Sequence, residues 1–365
     1  MQVLIIGAGP QALYILRCLA RVGHTVYVVS FDKKVAFFSK YGQKYVANGP
    51  PDFIDYIESK KSIVNKVFVC GGKELQFILD EFPEIFDSYD VYPKPIEAIK
   101  VFADKNRTYE FLKGFGAIAP KSYKVTDLLN QSLLLNPLII KWNQELPPRY
   151  KATFKTKVFH ELIDFKMFLA DLDEDIHQYL IIQDFISGRE SNNVSLQVAF
   201  DDNELQGSLL TQKLRVSPSG FTSYIEEIDM SSKFKEQGLT PFINGLLELN
   251  YSGLAEAEYK ICDITGDYYL IEVNPRPCGL VSALNGKYLN VNAFFEGKPL
   301  FEKEGNESVK WSSIMRDIQS SIRYYKQHRS VRMFVKDLVS ISQSKTYDIF
   351  DVSDITPFFL QITLK

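Results

Sequence analysis

The chain has few of the residues that mark secreted, membrane-embedded or zinc-binding proteins. Its cysteines are scattered without metal-ligand spacing, at Cys18, Cys70, Cys262 and Cys278. The first apolar run, residues 3–6, is too short for a signal peptide or a membrane span. We therefore expect no membrane insertion, and the reducing cytoplasm is the default compartment.

Histidine is sparse as well, and basic residues form no long run. The histidines are dispersed, at His24, His160, His177 and His328, and we assign none of them a role. The net charge is −3, and basic residues gather only locally, in residues 149–157. This distribution lacks the electrostatic footprint of a nucleic-acid-binding protein. We expect small-molecule substrates and no nucleic acid, with homo-oligomerisation left open.

The amino-terminal third alternates strand-like and helix-like segments. Residues 3–6, 25–30 and 66–70 read as buried strands, and residues 13–20 have helical periodicity. With 365 residues, of which 45% are apolar, the chain is long enough for two or three domains with cores of their own. We therefore expect a Rossmann-like domain over residues 1–98, in which helices cover a parallel sheet.

The turn after the first strand contains Gly7 and Gly9 and resembles the dinucleotide-binding fingerprint. Asp32 stands roughly where an acidic contact to ribose would be expected. This pattern is compatible with a nicotinamide- or flavin-dependent oxidoreductase. Glycines are equally what any sharp strand-to-helix turn needs, so the turn alone decides nothing.

The most informative stretch is residues 255–276. If the chain turns back about Thr265, Glu258 lies opposite Glu272 and Glu256 lies opposite Asn274, all on one face of a hairpin. Opposed carboxylates destabilise a sheet unless a cation lies between them, so a solvated hairpin face is the weaker interpretation. Mg²⁺ binds oxygen ligands, commonly carboxylates together with substrate phosphates. The pattern predicts a metal and nucleotide site, in which Glu272→Gln leaves the metal-free protein unchanged or slightly more stable.

The segment Ile-Glu-Val-Asn-Pro-Arg at residues 271–276, with Glu258 upstream, resembles the metal-binding segment of the ATP-grasp superfamily. Its members typically use ATP to activate a carboxylate as an acyl phosphate, which an amine, thiol or other nucleophile attacks. The resemblance implies that Glu258, Glu272 and Asn274 hold Mg²⁺, with Mn²⁺ as the alternative. It also implies that Arg276 stabilises the developing oxyanion or orients the acceptor.

Two upstream lysines match further parts of this pattern. Residues 104–113 resemble the opening segment of the ATP-grasp fold and put Lys105 near the start of a helix, where anions are favoured. The apolar run 138–140 ends in Lys141, which the resemblance assigns to the nucleotide, bridging base and phosphate. A buried lysine must be paired or functional, because desolvating an unpaired ammonium is costly.

Residues 179–190 resemble the strand and hinge that hold adenosine between the two lobes of the ATP-grasp fold. The resemblance implies that Gln183 faces the adenine amino group. The backbone of Phe185 and Ile186 would read the ring edge, and Glu190 would accept hydrogen bonds from the ribose hydroxyls. These motifs occur in the chain order that the superfamily predicts.

The chain departs from the superfamily at the phosphate loop. No glycine occurs between Gly116 and Gly188, whereas many members close a glycine-rich loop over the phosphates. The candidate substitutes, which are equally compatible with an ordinary solvated loop, are Arg149, Lys151, Lys155 and Lys157. Lys213 precedes the loop 217–221 and would bring a further cation toward phosphate or substrate carboxylate, so we include it in the catalytic set.

The predicted fold class is α/β and α+β. A Rossmann-like domain (1–98), of the kind that commonly holds the acceptor in ATP-grasp proteins, precedes a small lobe (99–185), a large lobe with the metal site (186–289) and a helical carboxyl-terminal extension (290–365). The predicted function is an ATP- and Mg²⁺-dependent ligase joining a carboxylate to an amine in an amino acid, peptide or cell-envelope precursor. More loosely, the chain resembles the D-aspartate ligase branch. The alternatives are a nucleotide-dependent oxidoreductase and a noncatalytic ATP-binding regulator.

Overall fold

The amino-terminal part of the protein is a parallel sheet covered by helices, in a computed structural model that describes residues 1–146, 150, 152–287, 289–296 and 308–364. Its elements are β1 (Gln2–Ile6), α1 (Pro10–Arg21), β2 (Thr25–Ser30), β3 (Gln43–Val46), α2 (Pro50–Glu58), β4 (Lys66–Val69), α3 (Gly72–Glu81), α4 (Ile85–Ser88), β5 (Asp90–Tyr92) and α5 (Ile96–Ala103). The strand order is β3-β2-β1-β4-β5, and all four pairings are parallel. Residues 3–6 are fully buried because the sheet is covered on both faces. The Rossmann-like prediction is confirmed.

The glycine turn after β1 packs against the turn after β4. Gly7 has φ +108°, and a side chain there would lie 2.4 Å from the Gly71 backbone nitrogen. Behind these turns the buried Glu74 accepts a hydrogen bond from Ser30 Oγ at 2.5 Å. Close backbone packing therefore explains Gly7, and a buried carboxyl group lies next to Gly71, the residue that Gly7 contacts.

A four-stranded antiparallel sheet follows. Its elements are α6 (Lys105–Lys113), β6 (Ser122–Tyr123), α7 (Val125–Leu129), β7 (Leu138–Trp142), β8 (Thr156–Phe159), α8 (Leu162–Ala170), α9 (Glu174–His177) and β9 (Leu180–Asp184). The strand order is β6-β9-β7-β8, over an apolar core of its own. Lys141 pairs with Ile181, and Ile139 pairs with Gln183, so Lys141 and Gln183 lie on the same face of this sheet.

The largest sheet has seven strands. Its part of the chain contains β10 (Asn193–Asp201), β11 (Glu204–Val216), β12 (Thr222–Glu227), α10 (Ser232–Phe234), α11 (Thr240–Glu248), β13 (Gly253–Ile261), β14 (Tyr268–Asn274), α12 (Ala293–Glu296), β15 (Lys310–Ser312), α13 (Ile314–His328), α14 (Val331–Gln343), β16 (Thr346–Tyr347) and α15 (Thr356–Leu360). The strand order is β14-β13-β10-β11-β12-β15-β16, which makes β14 an edge strand. Short turns of 3-10 or π helix lie at Val35–Phe38, Glu190–Asn192, Lys235–Leu239, Val281–Lys287 and Gln361–Leu364.

The predicted helical segment near the carboxyl terminus is confirmed by α13 and α14, and two short strands, β15 and β16, add it to the large sheet. Arg215 on β11 donates to both carboxylate oxygens of Asp317 on α13, at 2.7 and 2.6 Å. Arg17 on α1 donates to Asp354 at 2.9 Å. This segment therefore binds both the large sheet and the amino-terminal domain. None of the described helices has the length and apolar character that a membrane crossing requires.

Candidate functional site

The β13–β14 hairpin has the predicted register at its carboxylates. Glu258 pairs with Glu272, and Glu256 pairs with Asn274. The register then shifts between Glu258 and Tyr259, which leaves Ile271 without a partner on β13. The two carboxylates predicted to bind metal therefore lie side by side on the edge of the large sheet.

Lysines from three other elements compensate the opposed carboxylates. Lys213 on β11 lies 2.6 Å from Glu258, and Lys105 at the start of α6 lies 3.2 Å from Glu272. Burial raises the pKa of Glu272, but the ammonium groups of Lys105 and Lys141 outweigh it and lower this pKa to about 2. The sequence-based expectation that Glu272→Gln leaves the metal-free protein unchanged or more stable was therefore wrong in its premise, because Glu272 is held by attraction to cations.

The two buried lysines differ in protonation. Burial, reinforced by the nearby charge of Lys105, lowers the pKa of Lys141 to about 7. For Lys213 burial acts in the same direction, but the carboxylates of Glu258 and Glu256 outweigh it, so its pKa is raised. Lys213 therefore stays charged, whereas the proton on Lys141 responds to whatever anion binds nearby.

Glu256 lies on the same hairpin face, lines the cavity described below and holds Asn274 by a hydrogen bond. Glu256 is 3% exposed and accepts hydrogen bonds from Ser195 Oγ and, at 3.1 Å, from Asn274 Nδ2. The Asn274 Oδ1 atom is thereby turned outward, where Arg276 donates to it at 3.4 Å. Burial and the charge of Glu258 raise the pKa of Glu256.

The donor set of the hairpin fits a hard cation. Glu258, Glu272 and Asn274 supply two carboxylates and an amide oxygen, the ligand types that Mg²⁺ prefers. No group of three or more His, Cys, Asp or Glu side chains in the described part of the chain could hold a metal. A metal here would therefore need further ligands from a substrate, and nucleotide phosphates are the usual ones.

Lys105 is fixed by a residue that the sequence analysis missed. Its backbone N–H donates to the Asn143 carbonyl at 3.2 Å, and the Asn143 side chain donates to Asp104 at 2.9 Å and accepts from the Asn106 N–H at 3.1 Å. Asn143 directly follows β7, so it joins the start of α6 to the strand that carries Lys141. In the sequence, the only sign of this role of Asn143 is its position two residues after Lys141.

The buried Gln183 has a free acceptor atom. Its Nε2 donates to Ser122 Oγ at 3.1 Å and to the Pro120 carbonyl at 3.4 Å, whereas its Oε1 has no partner among the described residues. An unpaired buried oxygen is costly, and the adenine amino group is a donor of the kind it lacks. The Phe185 N–H already donates to Pro137 at 2.8 Å, which leaves the Phe185 carbonyl and the Ile186 backbone to contact a purine.

Glu190 already has partners in the structure. Arg323 Nη2 lies 3.0 Å from both carboxylate oxygens of Glu190, and the Tyr324 hydroxyl donates to one of them. Both partners belong to α13, more than 130 positions downstream. A ribose would therefore have to share this carboxylate with α13 or displace α13 from it, and the ribose contact stays a prediction.

The proposed substitutes for a glycine-rich loop behave differently from one another. Lys155 donates to the Gly220 carbonyl at 2.8 Å and lines the cavity described below. Lys157 does not line that cavity, and its ammonium lies 4.1 Å from the centre of the Phe168 ring on α8. Arg149 and Lys151 lie outside the described residues.

A cavity of about 910 Å³ brings most of these groups together. Seven of the predicted residues line it: Lys105, Lys141, Lys155, Glu258, Glu272, Asn274 and Arg276. Gly72 and Gln76 of the amino-terminal domain line it as well. Lys213, beside Glu258, lies outside the lining, as do four predicted nucleotide contacts: Gln183, Phe185, Ile186 and Glu190.

No protein-family model and no curated protein matches the chain. Solved structures do match it. N5-carboxyaminoimidazole ribonucleotide synthetase from Thermus thermophilus has a TM-score of 0.66 at 15% identity, over 84% of this chain and 82% of that one. N5-carboxyaminoimidazole synthetase from Staphylococcus aureus, complexed with ADP, has a TM-score of 0.59 at 14% identity, over 78% and 72%. Phosphoribosylamine–glycine ligase from Thermotoga maritima has a TM-score of 0.58 at 14% identity, over 85% and 79%. At these identities the likeness concerns the fold, and the predicted ATP-grasp fold is confirmed.

Proposed function

We propose that this chain, which has the ATP-grasp fold, is an ATP- and Mg²⁺-dependent ligase that activates a carboxylate as an acyl phosphate and joins it to an amine. One observation carries the proposal: Glu258 and Glu272 lie side by side in a large cavity, each paired with a lysine from another element. Without a ligand, these carboxylates and lysines neutralise one another. Bound Mg²⁺ would pair with the carboxylates instead, and the nucleotide phosphates would pair with the lysines. The ligase and synthetase named among the similar structures support the same reaction class.

Glu258, Glu272 and Asn274 would hold Mg²⁺, which supplies positive charge that the terminal phosphates of ATP need during transfer. Lys105 would release Glu272 and bind phosphate, and Lys141 would take up a proton beside the same anion. The chain thus contributes positioning and charge stabilisation rather than a covalent intermediate. Closure of the cavity would protect the acyl phosphate from water.

Arg276 would contact the reacting acceptor or the developing oxyanion. It lines the cavity and donates to Asn274 Oδ1 at 3.4 Å and to the Pro277 carbonyl at 3.2 Å. A side chain built onto Gly72 would lie 2.9 Å from its guanidinium, so Arg276 borders the amino-terminal domain. We propose that this domain holds the acceptor, as the resemblance implies. We also propose that Lys213, which lies outside the cavity lining, keeps Glu258 ionised.

The adenosine end would be read by Gln183, by the backbone at Phe185 and Ile186, and by Glu190. The unpaired Oε1 of Gln183 supports the purine contact. We also retain the division at 1–98, 99–185, 186–289 and 290–365 as a proposal, together with a cytoplasmic location and Mn²⁺ as the alternative ion. The first sheet ends at Tyr92 and the second at Asp184, which supports the first two boundaries.

The glycine turn, on which the oxidoreductase alternative was based, has another explanation. Gly7 is explained by the contact with Gly71, and Glu74 is buried beside the turns that would receive dinucleotide phosphates. A noncatalytic regulator would bind ATP without turnover. This alternative is an outcome of the test below.

The test is ADP release in the presence of MgCl₂, measured with a panel of carboxylates paired with amino acids and amines. We expect ADP release that depends on Mg²⁺ and on a particular pair, with a matching condensed product by mass spectrometry. Tight MgATP binding without release for any pair would favour the regulator. Product formation at full rate without ATP or divalent metal would overturn the ligase proposal.

A further inference from the structure

Tyr109 connects the helix that carries Lys105 to the strand that carries Glu272. It lies four residues after Lys105, so both side chains share one face of α6. Lys105 contacts the Glu272 carboxylate, and the Tyr109 hydroxyl donates to the carbonyl of Ile271, the preceding residue. The Tyr109 ring is 6% exposed. One helix face therefore contacts two consecutive residues of the edge strand β14.

The Tyr109 hydroxyl also binds Lys141. The Lys141 ammonium donates to the Tyr109 oxygen at 3.3 Å and to the Ile271 carbonyl at 3.2 Å. These three polar atoms form a closed triangle, because the tyrosine donates to the same carbonyl. An ammonium has three donors, so one N–H of Lys141 remains for a ligand.

The position of Ile271 explains why its carbonyl is available. Ile271 is the residue that the register shift leaves without a partner on β13. A bulge of this kind locally redirects a strand, and here it directly precedes Glu272. Tyr109 and Lys141 thus contact the backbone at the irregularity that sets the position of a predicted metal ligand.

A free lysine side chain has many rotamers, and its flexible stem does not by itself aim the charge. Two fixed acceptors select one orientation of the Lys141 ammonium before any ligand arrives. Burial keeps the pKa of Tyr109 raised, so its hydroxyl stays neutral and can donate and accept at once. Preorganisation of this kind reduces the entropy cost of binding.

We propose that Tyr109 is a positioning residue that aims Lys141 at the phosphates of the nucleotide. The inference rests on the proposed function, since it requires that Lys141 contacts bound ATP. Tyr109 itself does not touch the reacting atoms. Its hydroxyl acts through the lysine and through the Ile271 carbonyl.

A purely structural tyrosine is the competing explanation, and the chain offers matched controls for it. Tyr251 donates to the Leu254 carbonyl at 2.8 Å, and Tyr259 donates to the Gly238 carbonyl at 2.9 Å. Both rings are buried, as Tyr109 is. Tyr251→Phe and Tyr259→Phe therefore remove a comparable buried hydrogen bond without touching Lys141.

The experiment measures dissociation constants for ATP with MgCl₂ and for adenosine, by titration calorimetry, in wild type, Tyr109→Phe and both controls. Loss of one partner of a charged group predicts a Kd for MgATP about tenfold higher in Tyr109→Phe. Adenosine lacks phosphates, so its affinity should change much less than that of MgATP. The controls should bind both ligands as wild type does.

A double-mutant cycle measures whether the effect of Tyr109→Phe on MgATP affinity depends on Lys141, a dependence that a purely structural role does not predict. If Tyr109 acts through Lys141, Tyr109→Phe should have no further effect on MgATP affinity in a Lys141→Met background. Equal losses for ATP and adenosine, a full effect in the Lys141→Met background, or unchanged MgATP affinity would each overturn the inference. So would a Tyr109→Phe protein that fails to fold where the controls fold.

The outcomes for the two proposals are distinguishable. Wild-type protein that does not bind MgATP would overturn the proposed function, and the positioning role would fall with it. Wild-type protein that binds MgATP, together with an unaffected Tyr109→Phe variant, would overturn the positioning role alone.

Discussion

The Lys213 ammonium lies 2.6 Å from a carboxylate oxygen of Glu258, with side chains 8% and 26% exposed. A pair removed from water to this degree is costly to break from one side, because the remaining charge keeps its desolvation cost. Lys213 therefore acts as an internal counter-ion to Glu258 before any metal binds. The strand register places Lys213 on the same face of the large sheet as Glu258, with the single strand β10 between β11 and β13.

Lys213→Met should destabilise the metal-free protein by about 3 kcal/mol, the lower end of the range for breaking a buried ion pair. MgCl₂ should then stabilise the variant more than wild type, because the cation replaces the missing ammonium beside Glu258. Urea unfolding with and without MgCl₂ measures both effects. The control is Lys310→Met, whose partner Glu226 lies at 3.3 Å in a pair with both side chains 35% exposed. Equal losses in the two variants would contradict the assignment.

Glu272→Gln should reduce stability rather than preserve it. The charge it removes is the partner of Lys105 at 3.2 Å, and a neutral amide would leave that lysine without a counter-charge. We expect a loss of about 1–3 kcal/mol in the metal-free protein, the usual cost of an unmet charged group. Magnesium should no longer strengthen ATP binding, and turnover should fall by orders of magnitude. Glu97→Gln is the surface control, because Glu97 is 74% exposed in its pair with Lys100. A variant with wild-type Mg²⁺ dependence would refute the metal site.

Binding of MgATP should take up a proton at pH 8. Lys141 has a pKa lowered to about 7 by burial and by Lys105, so much of it is neutral at this pH. Phosphate favours the charged form, so ATP affinity should decrease as pH rises above 7. Calorimetry in two buffers with different ionisation enthalpies measures the uptake. A Lys141→Met variant with the same uptake would rule out this lysine as the source.

The lowered pKa of Lys141 also determines how the free energy of unfolding changes with pH. The folded value of about 7 lies below the ordinary value of 10.5, so the unfolded chain binds more protons between these limits. The contribution of Lys141 to the free energy of unfolding is therefore unfavourable below pH 7 and is relieved as pH rises toward 10.5. Lys141→Met should remove this dependence from the urea-unfolding profile of the protein.

Arg323→Met should strengthen MgATP binding severalfold. Arg323 occupies both oxygens of Glu190 at 3.0 Å, whereas Tyr324 donates only to Oε2, so removal of Arg323 frees Oε1 for a ribose hydroxyl. The nucleotide 2′,3′-dideoxy-ATP lacks the ribose hydroxyls and should bind the variant and wild type alike. An equal change in the affinity for both nucleotides would show that the effect does not arise from the ribose contact of Glu190.

The facing of Glu258 and Glu272 could be predicted from the turn near Thr265 and the alternation of strand side chains, and the lysine motifs follow in chain order. The register shift could not be predicted: Ile261 pairs with Tyr268 near the turn, so the shift at Ile271 is what brings Glu272 opposite Glu258. The triangle at Tyr109 could not be predicted in this way. It joins a helix to a strand 162 positions downstream at a register shift, and neither partner carries a local pattern for it.

The surroundings of Glu190 could not be predicted from the local sequence. Its role was inferred from residues nearby in sequence, whereas its partners lie on α13, outside the segments that carry the resemblance. The counter-ions of the hairpin were also beyond local reasoning, since Lys105 and Lys213 come from separate elements. Local pattern thus located the acidic residues, but whether the net charge around Glu272 favours or disfavours its carboxylate depended on cations brought in by tertiary packing.

The hydrogen bond from Arg17 to Asp354 joins positions 337 residues apart. Arg17 also donates to the carbonyls of Ile349 and Asp354, at 2.9 and 2.7 Å, so the amino-terminal domain and the carboxyl-terminal segment share one buried network. Neither part can melt without exposing groups of the other. Thermal unfolding of the first domain is therefore coupled to that of the last segment, although residues 99–289 separate them along the chain.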